Sequence, residues 1–258
     1  MLSTEQVEQF QRDGFVKGER VLSDSEVEAL QCETLRVIEE RDKPGQPQPV
    51  LCHLMGGSIW QIVNIWEASP AFRELVTHPT IVGEIGQLVG DRAVRLWHDQ
   101  IQYKPATVGG ANHWHQDGPY WPILKPKSQL TAWVALDDAD EDNGCMRMVP
   151  GSHLWGDHVK YLESLPNFDA MPDSFEGHEV DVVSCPVKKG GVHFHHSLTW
   201  HGSGPNHSGR PRRAIALHYM TDETRYDASG DHVMKQFVTV ADGEVLAGDH
   251  FPLVMPKR

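Results

Sequence analysis

Three residues of this chain have the types and spacing of ligands for a catalytic metal ion. His115 and Asp117 stand two positions apart, and His201 follows much later in the sequence. Two histidines and one carboxylate form the ligand set of non-haem ferrous sites, which leaves positions open for a co-substrate and O₂. In an extended segment His115 and Asp117 share a face, because side chains alternate along a strand. His201 must then arrive from a strand that is distant in sequence.

An arginine that could hold an anion follows the second histidine. Arg212 carries a planar guanidinium, which can grip a carboxylate with two hydrogen bonds and stays charged at any working pH. Its neighbours Arg210 and Arg213 are alternatives, with ordinary surface or structural ion pairs as their simplest role. Strand alternation places Arg212 and Arg213 on opposite faces, and the spacing favours Arg212 as the anchor of a dicarboxylate.

The tripeptide at His115 is weak evidence by itself, because the chain contains 16 histidines. The wider pattern is more specific. In order and spacing, the motifs resemble the phytanoyl-CoA dioxygenase family of Fe(II)/2-oxoglutarate oxygenases over roughly residues 93 to 221. These motifs are WHQDGPYWP at 114–122, TAWVALDD at 131–138, NGCMRMVPGSH at 143–153 and HGSGPNHSGRPR at 201–212.

The resemblance implies three cofactors or co-substrates, namely Fe²⁺, 2-oxoglutarate and O₂. It implies that His115, Asp117 and His201 bind the metal, and that Arg212 binds the distal carboxylate of 2-oxoglutarate. It further implies contacts to this co-substrate from Ser203, Trp133 and Gln100. Relatives that halogenate carry a small residue in place of Asp117, so a carboxylate here indicates hydroxylation or another oxidation.

The implied reaction is oxidation of a small organic substrate, with release of succinate and CO₂. Oxidative ring closure on a sugar-containing natural product is the main variant at the same iron site. Candidate substrate contacts are aromatic and polar residues near the metal motif and in the N-terminal region, and such a mixture suits a ring-bearing polar compound. They are Trp114, Tyr120, Trp121, His53, Trp60 and Gln61. Their tryptophans are equally consistent with core packing.

Two other classes of protein remain open. A zinc hydrolase can use two histidines, an aspartate and a bound water, but it has no need of Arg212. A non-catalytic barrel that binds a small molecule would also carry a polar mouth, and it would form no succinate.

Composition predicts one oxygenase domain over residues 1–258. The formal net charge is −13, and no Lys/Arg run suggests a nucleic-acid partner. The four cysteines are widely spaced, which argues against a disulfide framework and suits a cytoplasmic location. The start lacks the pattern of a secretion signal, and no apolar run is long enough for a membrane span. We expect a monomer or homodimer with a small-molecule substrate.

The pattern of elements predicts a mainly β fold with flanking helices, a jelly-roll or cupin-like double-stranded β-helix barrel. Residues 1–90 are expected to be helical and to pack outside the barrel, with capping boxes at Ser3 and Ser23. Residues 93–221 form the predicted barrel core, and Asn143-Gly144 is a hairpin signal. Residues 153–178 predict an insertion that covers the mouth as a lid. The predicted strands are 93–104, 129–137, 145–149, 179–187, 192–196 and 213–221.

Overall fold

A computed structural model describes residues 1–257 of the chain. Its helices are α1 (Thr4–Asp13), α2 (Asp24–Glu40), α3 (Pro70–Val76), α4 (Pro79–Val89) and α5 (Val159–Glu163). The capping boxes predicted at Ser3 and Ser23 are both present, each with the N3 side chain returning to the cap backbone. Prolines occupy the first turns of α3 and α4, where their missing N–H is not needed.

Sixteen strands are present within the described residues. They are β1 (Phe15–Arg20), β2 (Leu51–Met55), β3 (Ile59–Val63), β4 (Val94–Lys104), β5 (Asn112–His115), β6 (Leu124–Lys125), β7 (Leu130–Ala135), β8 (Met146–Met148), β9 (Ser174–Phe175), β10 (His178–Glu179), β11 (Val183–Cys185), β12 (Gly191–His196), β13 (His201–Ser203), β14 (Arg212–Thr221), β15 (Arg225–Tyr226) and β16 (Leu253–Met255).

Two facing sheets build the barrel. The larger has the order β1-β12-β7-β14-β4-β3-β2, with β16 also paired to β4, and the smaller has the order β11-β8-β13-β5. Neighbouring strands in both sheets run antiparallel. This is the jelly-roll arrangement that the sequence predicted, and closing a sheet around a centre leaves an interior that can hold a site.

The prediction that residues 1–90 are helical was wrong in part. Helices α1 to α4 do lie there, but β1, β2 and β3 join the larger sheet. β1 pairs with β12, and β3 pairs with β4. These strands have only six and five residues and their burial does not alternate strictly, so they give little periodic signal between strong helical segments. The consequence is functional, because β3 forms part of a cavity wall.

The hairpin predicted at Asn143-Gly144 was also wrong. Gly144 does adopt a left-handed conformation, with φ at 82°, and it follows a short 3₁₀ turn over Glu141–Asn143. However, the segment connects β7 of the larger sheet to β8 of the smaller sheet. It is therefore a crossing between sheets, a distinction that turn chemistry alone cannot make.

Most of the apolar core lies between the larger sheet and the helices outside it. Side chains from α2, α3 and α4 pack there against the outward-facing positions of the sheet, such as Ile62, Ile101 and Ile215. The inward-facing positions of the same strands are thereby left to line the barrel interior. No helix within residues 1–257 is both long enough and apolar enough to cross a membrane.

Candidate active site

His115, Asp117 and His201 converge at one end of the barrel. His115 ends β5 and His201 begins β13, and the two residues are direct partners across these antiparallel strands. One ligand atom from each of the three residues lies within 4.8 Å of the others. Nε2 of His115 is 3.6 Å from Oδ1 of Asp117, and Nε2 of His201 is 3.5 Å from the same oxygen. The predicted convergence of the three residues is therefore present.

Hydrogen bonds fix which nitrogen of each histidine faces this point. Nδ1 of His115 is 2.7 Å from the carbonyl oxygen of His113, and Nδ1 of His201 is 2.8 Å from that of Thr199. A carbonyl can only accept, so each Nδ1 carries the proton and each Nε2 presents a lone pair. Two imidazole lone pairs and a carboxylate oxygen form a donor set that fits a ferrous ion.

Asp117 reaches this position by a route other than the predicted strand. Its backbone has φ −68° and ψ −48°, at the start of a 3₁₀ turn over Gly118–Tyr120. Gln116, between the two candidate ligands, points away as expected. Its side chain is buried and donates to the carbonyls of Gly156 and Leu198.

The second oxygen of Asp117 has partners of its own. Oδ2 accepts a hydrogen bond from Thr131 Oγ1 at 3.2 Å and lies 3.1 Å from Nε2 of His195. Burial by itself would raise the pKa of this carboxyl group, but the histidines around it lower the pKa well below its usual range. Asp117 is therefore held as an oriented carboxylate.

A buried arginine that could hold an anion lies close to the three residues. Arg212 is almost fully buried, and its guanidinium lies 5.6 Å from the centre of the Trp133 ring. Nη2 of Arg212 donates to Ser203 Oγ at 3.1 Å, and Nη1 donates to the carbonyl of Gln102. Nε has no partner among the described residues. An unpaired donor on a buried cation fits a ligand carboxylate, because an unpaired buried charge is costly.

A buried lysine stands beside Arg212. Nζ of Lys104 donates to Ser203 Oγ at 2.7 Å and to the carbonyls of Ser203 and Gly204. Burial, followed by the neighbouring guanidinium, lowers the pKa of Lys104 to about 5, and burial lowers that of Arg212 to about 10. Ser203, Trp133 and Gln100 all line the small cavity between this pocket and the three converging residues.

The two neighbouring arginines have other partners. Arg210 pairs with Asp140 at 2.7 Å on the surface, and Arg213 pairs with Asp137 at 2.7 Å. The opposite facing of Arg212 and Arg213 follows from alternation along β14, as expected.

A cavity of about 700 Å³ opens from the three converging residues to the surface. Its walls come from β2, β3, β4 and β5, the turn after Asp117, and the segment near residue 232. Three of the candidate substrate residues line it, namely Gln61, Tyr120 and Trp121.

The remaining three candidates do not line this cavity. Trp114 is 2% exposed and faces outward from β5, where it stacks on Phe168 and donates to its carbonyl. Trp60 alternates with the lining residue Gln61 and packs under Arg41. His53 lies on the exposed edge and bonds to Gln61 at 2.8 Å.

The lid predicted over residues 153–178 was wrong as well. None of these residues lines the cavity. They pack in an outer cluster against Trp114 and Trp200, behind the smaller sheet. The segment therefore supports the strand that carries His115 from its outer side, and the mouth is bordered instead by the β2–β3 hairpin.

Several residues of the site were missed or undervalued in the sequence. Lys104 lay at the end of a predicted strand, and nothing marked it as buried. His195 carries no motif signal of its own, and alternation along β12 places it on one face with His193. Thr131 lies within a recognised motif, but its contact with Asp117 depends on the pairing of distant strands. Three further histidines of the cavity wall, His98, His218 and His232, had no sequence signal beyond their type.

Comparison with known proteins gives consistent results. The family model described as phytanoyl-CoA dioxygenase matches residues 10–214. A "probable alpha-ketoglutarate-dependent hypophosphite dioxygenase" of Stutzerimonas stutzeri is 35% identical over 158 residues, which are 58% of this chain and 52% of that protein. The chain thus matches about half the length of this relative.

Two solved structures match nearly the whole chain. One is the non-haem α-ketoglutarate-dependent carbocyclase SnoK from nogalamycin biosynthesis, with 30% identity, a TM-score of 0.81, and coverage of 98% of this chain and 97% of that one. The other is the epimerase SnoN in complex with Fe³⁺, α-ketoglutarate and nogalamycin RO, with 26% identity and a TM-score of 0.77. It covers 97% of both chains.

Proposed function

The chain belongs to the phytanoyl-CoA dioxygenase family, and on that premise we propose that it is an Fe(II)/2-oxoglutarate-dependent dioxygenase whose iron is held by His115, Asp117 and His201. One observation carries the proposal. Two histidine lone pairs and a carboxylate oxygen meet beside a buried arginine that has no carboxylate partner among residues 1–257.

Arg212 and Ser203 would bind the distal carboxylate of 2-oxoglutarate. Lys104 and Arg212 both donate to Ser203 Oγ, so this oxygen uses its acceptor sites on these two side chains. Its own hydroxyl proton is then free to be donated to the carboxylate. Trp133 and Gln100 line the space through which the co-substrate chain would run. When bound, iron with 2-oxoglutarate and O₂ supplies the oxidising chemistry that attacks a substrate C–H bond, with succinate and CO₂ as co-products.

The rest of the chain would orient these groups. His115 and His201 keep their metal-facing nitrogens unprotonated because each Nδ1 proton is donated to a carbonyl. Thr131 and His195 contact the other carboxylate oxygen and hold Asp117 in one orientation. Such fixed outer partners commonly preserve metal affinity and ligand geometry.

The substrate we propose is a small, uncharged compound that carries a ring. The cavity wall is rich in apolar and aromatic side chains with a few amides and imidazoles, and no lysine or arginine within the described part of the chain lines it. Its volume of about 700 Å³ is typical of sites for molecules of drug size. Tyr120, Trp121 and Gln61 are the predicted contacts that remain.

Hydroxylation is the proposed outcome, and ring closure on a sugar-containing natural product is the second candidate. The similarity to a carbocyclase across 98% of this chain favours keeping it. We further propose a monomer or homodimer without a nucleic-acid partner, in keeping with the net charge of −13. The four free cysteines are compatible with the cytoplasm, which we propose as the location.

Succinate release tests the function directly. We expect the purified protein with Fe²⁺, 2-oxoglutarate and O₂ to release succinate slowly, even without its substrate. His115→Ala, Asp117→Ala and His201→Ala should each abolish the release, whereas His53→Ala, at the exposed edge, should retain it. Release that is equal with and without iron, or turnover with zinc and no 2-oxoglutarate, would contradict the proposal; the latter would favour the hydrolase.

A further inference from the structure

Four histidines line the cavity besides the proposed iron ligands, namely His113 on β5 and a cluster of three. The cluster consists of His98 on β4, His218 on β14 and His232 before the 3₁₀ turn over Val233–Phe237. The rings of His98 and His218 are 4.7 Å apart, and those of His98 and His232 are 5.8 Å apart. Trp121 meets the first two rings edge to face. None of the three takes part in the functions assigned above.

The hydrogen bonds of His98 and His232 define opposite tautomers. Nδ1 of His98 lies 3.2 Å from the backbone carbonyl of Asp99, which can only accept, so Nδ1 carries the proton. Nδ1 of His232 accepts from the backbone N–H of Met234 at 3.2 Å, so the proton of its neutral ring is on Nε2. His98 therefore presents a lone pair at Nε2, and His232 presents an N–H.

His218 has the same tautomer as His98, for a reason that involves two further residues. Thr131 donates its hydroxyl proton to the carboxylate of Asp117. The oxygen of Thr131 must therefore accept from Nδ1 of His218, at 2.8 Å. Nε2 of His218 is left as an acceptor, and within residues 1–257 no group hydrogen-bonds to it or to Nε2 of His98.

Burial keeps His98 and His232 uncharged. Desolvation lowers the pKa of His98 well below its usual value and lowers that of His232 to about 4. The wall consequently offers two acceptors side by side and one neutral donor, all on the open cavity. A molecule that displaces water from the cavity must supply the complementary hydrogens, because polar groups buried by a ligand need partners.

We propose that His98, His218 and His232 determine substrate specificity by recognising an uncharged ring with two hydroxyl groups on adjacent or nearly adjacent carbons. The two hydroxyls donate to Nε2 of His98 and of His218, which their close spacing requires. A further oxygen of the substrate accepts from Nε2–H of His232, and the ring packs against Trp121. This inference rests on the proposed function, since it assigns the substrate of the same site.

The tautomers can be measured without any ligand. In the ¹⁵N-labelled protein loaded with diamagnetic zinc, long-range ¹H–¹⁵N correlation at pH 7 should show Nε2 of His98 and His218 unprotonated and Nε2 of His232 protonated. The variants His98→Phe and His232→Phe assign the signals. A proton on Nε2 of His98, or a cationic ring at His98 or His232, would overturn the proposal.

Binding tests the substrate class. The probes are phenyl and 2-naphthyl β-D-glucopyranosides, which are uncharged and carry vicinal diols, and their tetra-O-methyl ethers, which keep the ring and its oxygens but lack the donors. With iron and 2-oxoglutarate under anaerobic conditions, we expect at least one glucoside to bind about tenfold or more tightly than its ether, because the ether leaves two buried acceptors unpaired. His98→Phe should remove this preference, and His53→Phe should preserve it.

The two proposals fail in different ways. Equal binding of glucoside and ether, no binding of either glucoside, or a preference that survives His98→Phe would overturn the hydroxyl recognition, whatever the rate of succinate release. If wild-type protein releases no succinate while the tautomers and the binding preference are as expected, the dioxygenase function fails and the recognition pattern stands.

Discussion

At the scale of single residues, its partners distinguish Arg212, the proposed anchor of an anion, from arginines in ordinary ion pairs. Arg210 and Arg213 each have an aspartate partner, whereas Arg212 has only neutral oxygens and lies in the interior. We expect Arg212→Ala to raise the 2-oxoglutarate concentration for half-maximal succinate release by roughly ten- to a hundredfold, since a charge-assisted bond contributes about 1.5–3 kcal/mol. Arg210→Ala is the matched control. A larger effect of Arg210→Ala than of Arg212→Ala would show that Arg210, two positions earlier, is the anchor.

The lowered pKa of Lys104 predicts that binding of 2-oxoglutarate is coupled to uptake of a proton. Its pKa is lowered to about 5 by burial and by Arg212, and Cys145 is the other titratable group that acts on it. A bound carboxylate raises this pKa, so 2-oxoglutarate binding takes up a proton, and affinity falls as pH rises above about 5. Calorimetry at pH 7 in buffers of different ionisation enthalpy should detect the uptake, and Lys104→Met should lose it. An uptake that Lys104→Met leaves unchanged would assign the proton to another group.

At the scale of elements, the sequence predicted most of the barrel strands but not which strands pair with each other. The run 213–221 was predicted as a strand from its apolar pattern and is observed as Arg212–Thr221. β5 and β13, which carry the metal-facing histidines, have only four and three residues, too few for a periodic signal. The candidate ligand set could be recognised because residue types and their order are read directly from the sequence, without knowledge of the strand pairing. Lys104 and Thr131 reach the site only through pairing between distant strands, which one sequence does not encode locally.

The outer insertion gives a prediction about how one element supports another. The buried side chain of Gln116 bonds to Gly156 and Leu198 and accepts from the N–H of His158, which ties the insertion to the strand of the metal motif. Gln116→Ala leaves these groups unpaired at a cost of about 1–3 kcal/mol, so the melting temperature should fall by several degrees. Succinate release should fall too, because Asp117 loses its support. Gln46→Ala, at an exposed position, should change neither the melting temperature nor succinate release. A stable and fully active Gln116→Ala would show that the insertion does not support the metal motif.

At the scale of the whole molecule, charge and cavity lining point to the same class of substrate. The chain carries a net charge of −13, and no basic side chain among residues 1–257 lines the cavity. Lys125, a basic residue close to the metal motif in the sequence, is paired with Asp227 at 2.5 Å. The net charge repels a polyphosphate wherever salt does not screen it, and the described cavity wall offers the polyphosphate no basic side chain.

Uncharged and charged forms of one acyl group test this point. We expect decanoyl-CoA to give no stimulation of 2-oxoglutarate consumption at low ionic strength, and no more than its uncharged N-acetylcysteamine thioester at high salt. Neutral ring compounds that do stimulate turnover should act equally at both ionic strengths, because the charge of the protein does not steer an uncharged molecule. Trp121→Ala should weaken their stimulation, since Trp121 lines the cavity and is 4% exposed. Strong stimulation by decanoyl-CoA that is unaffected by Trp121→Ala would show that a local feature overrides the charge of the molecule, and it would reject the neutral substrate while leaving the iron site unaffected.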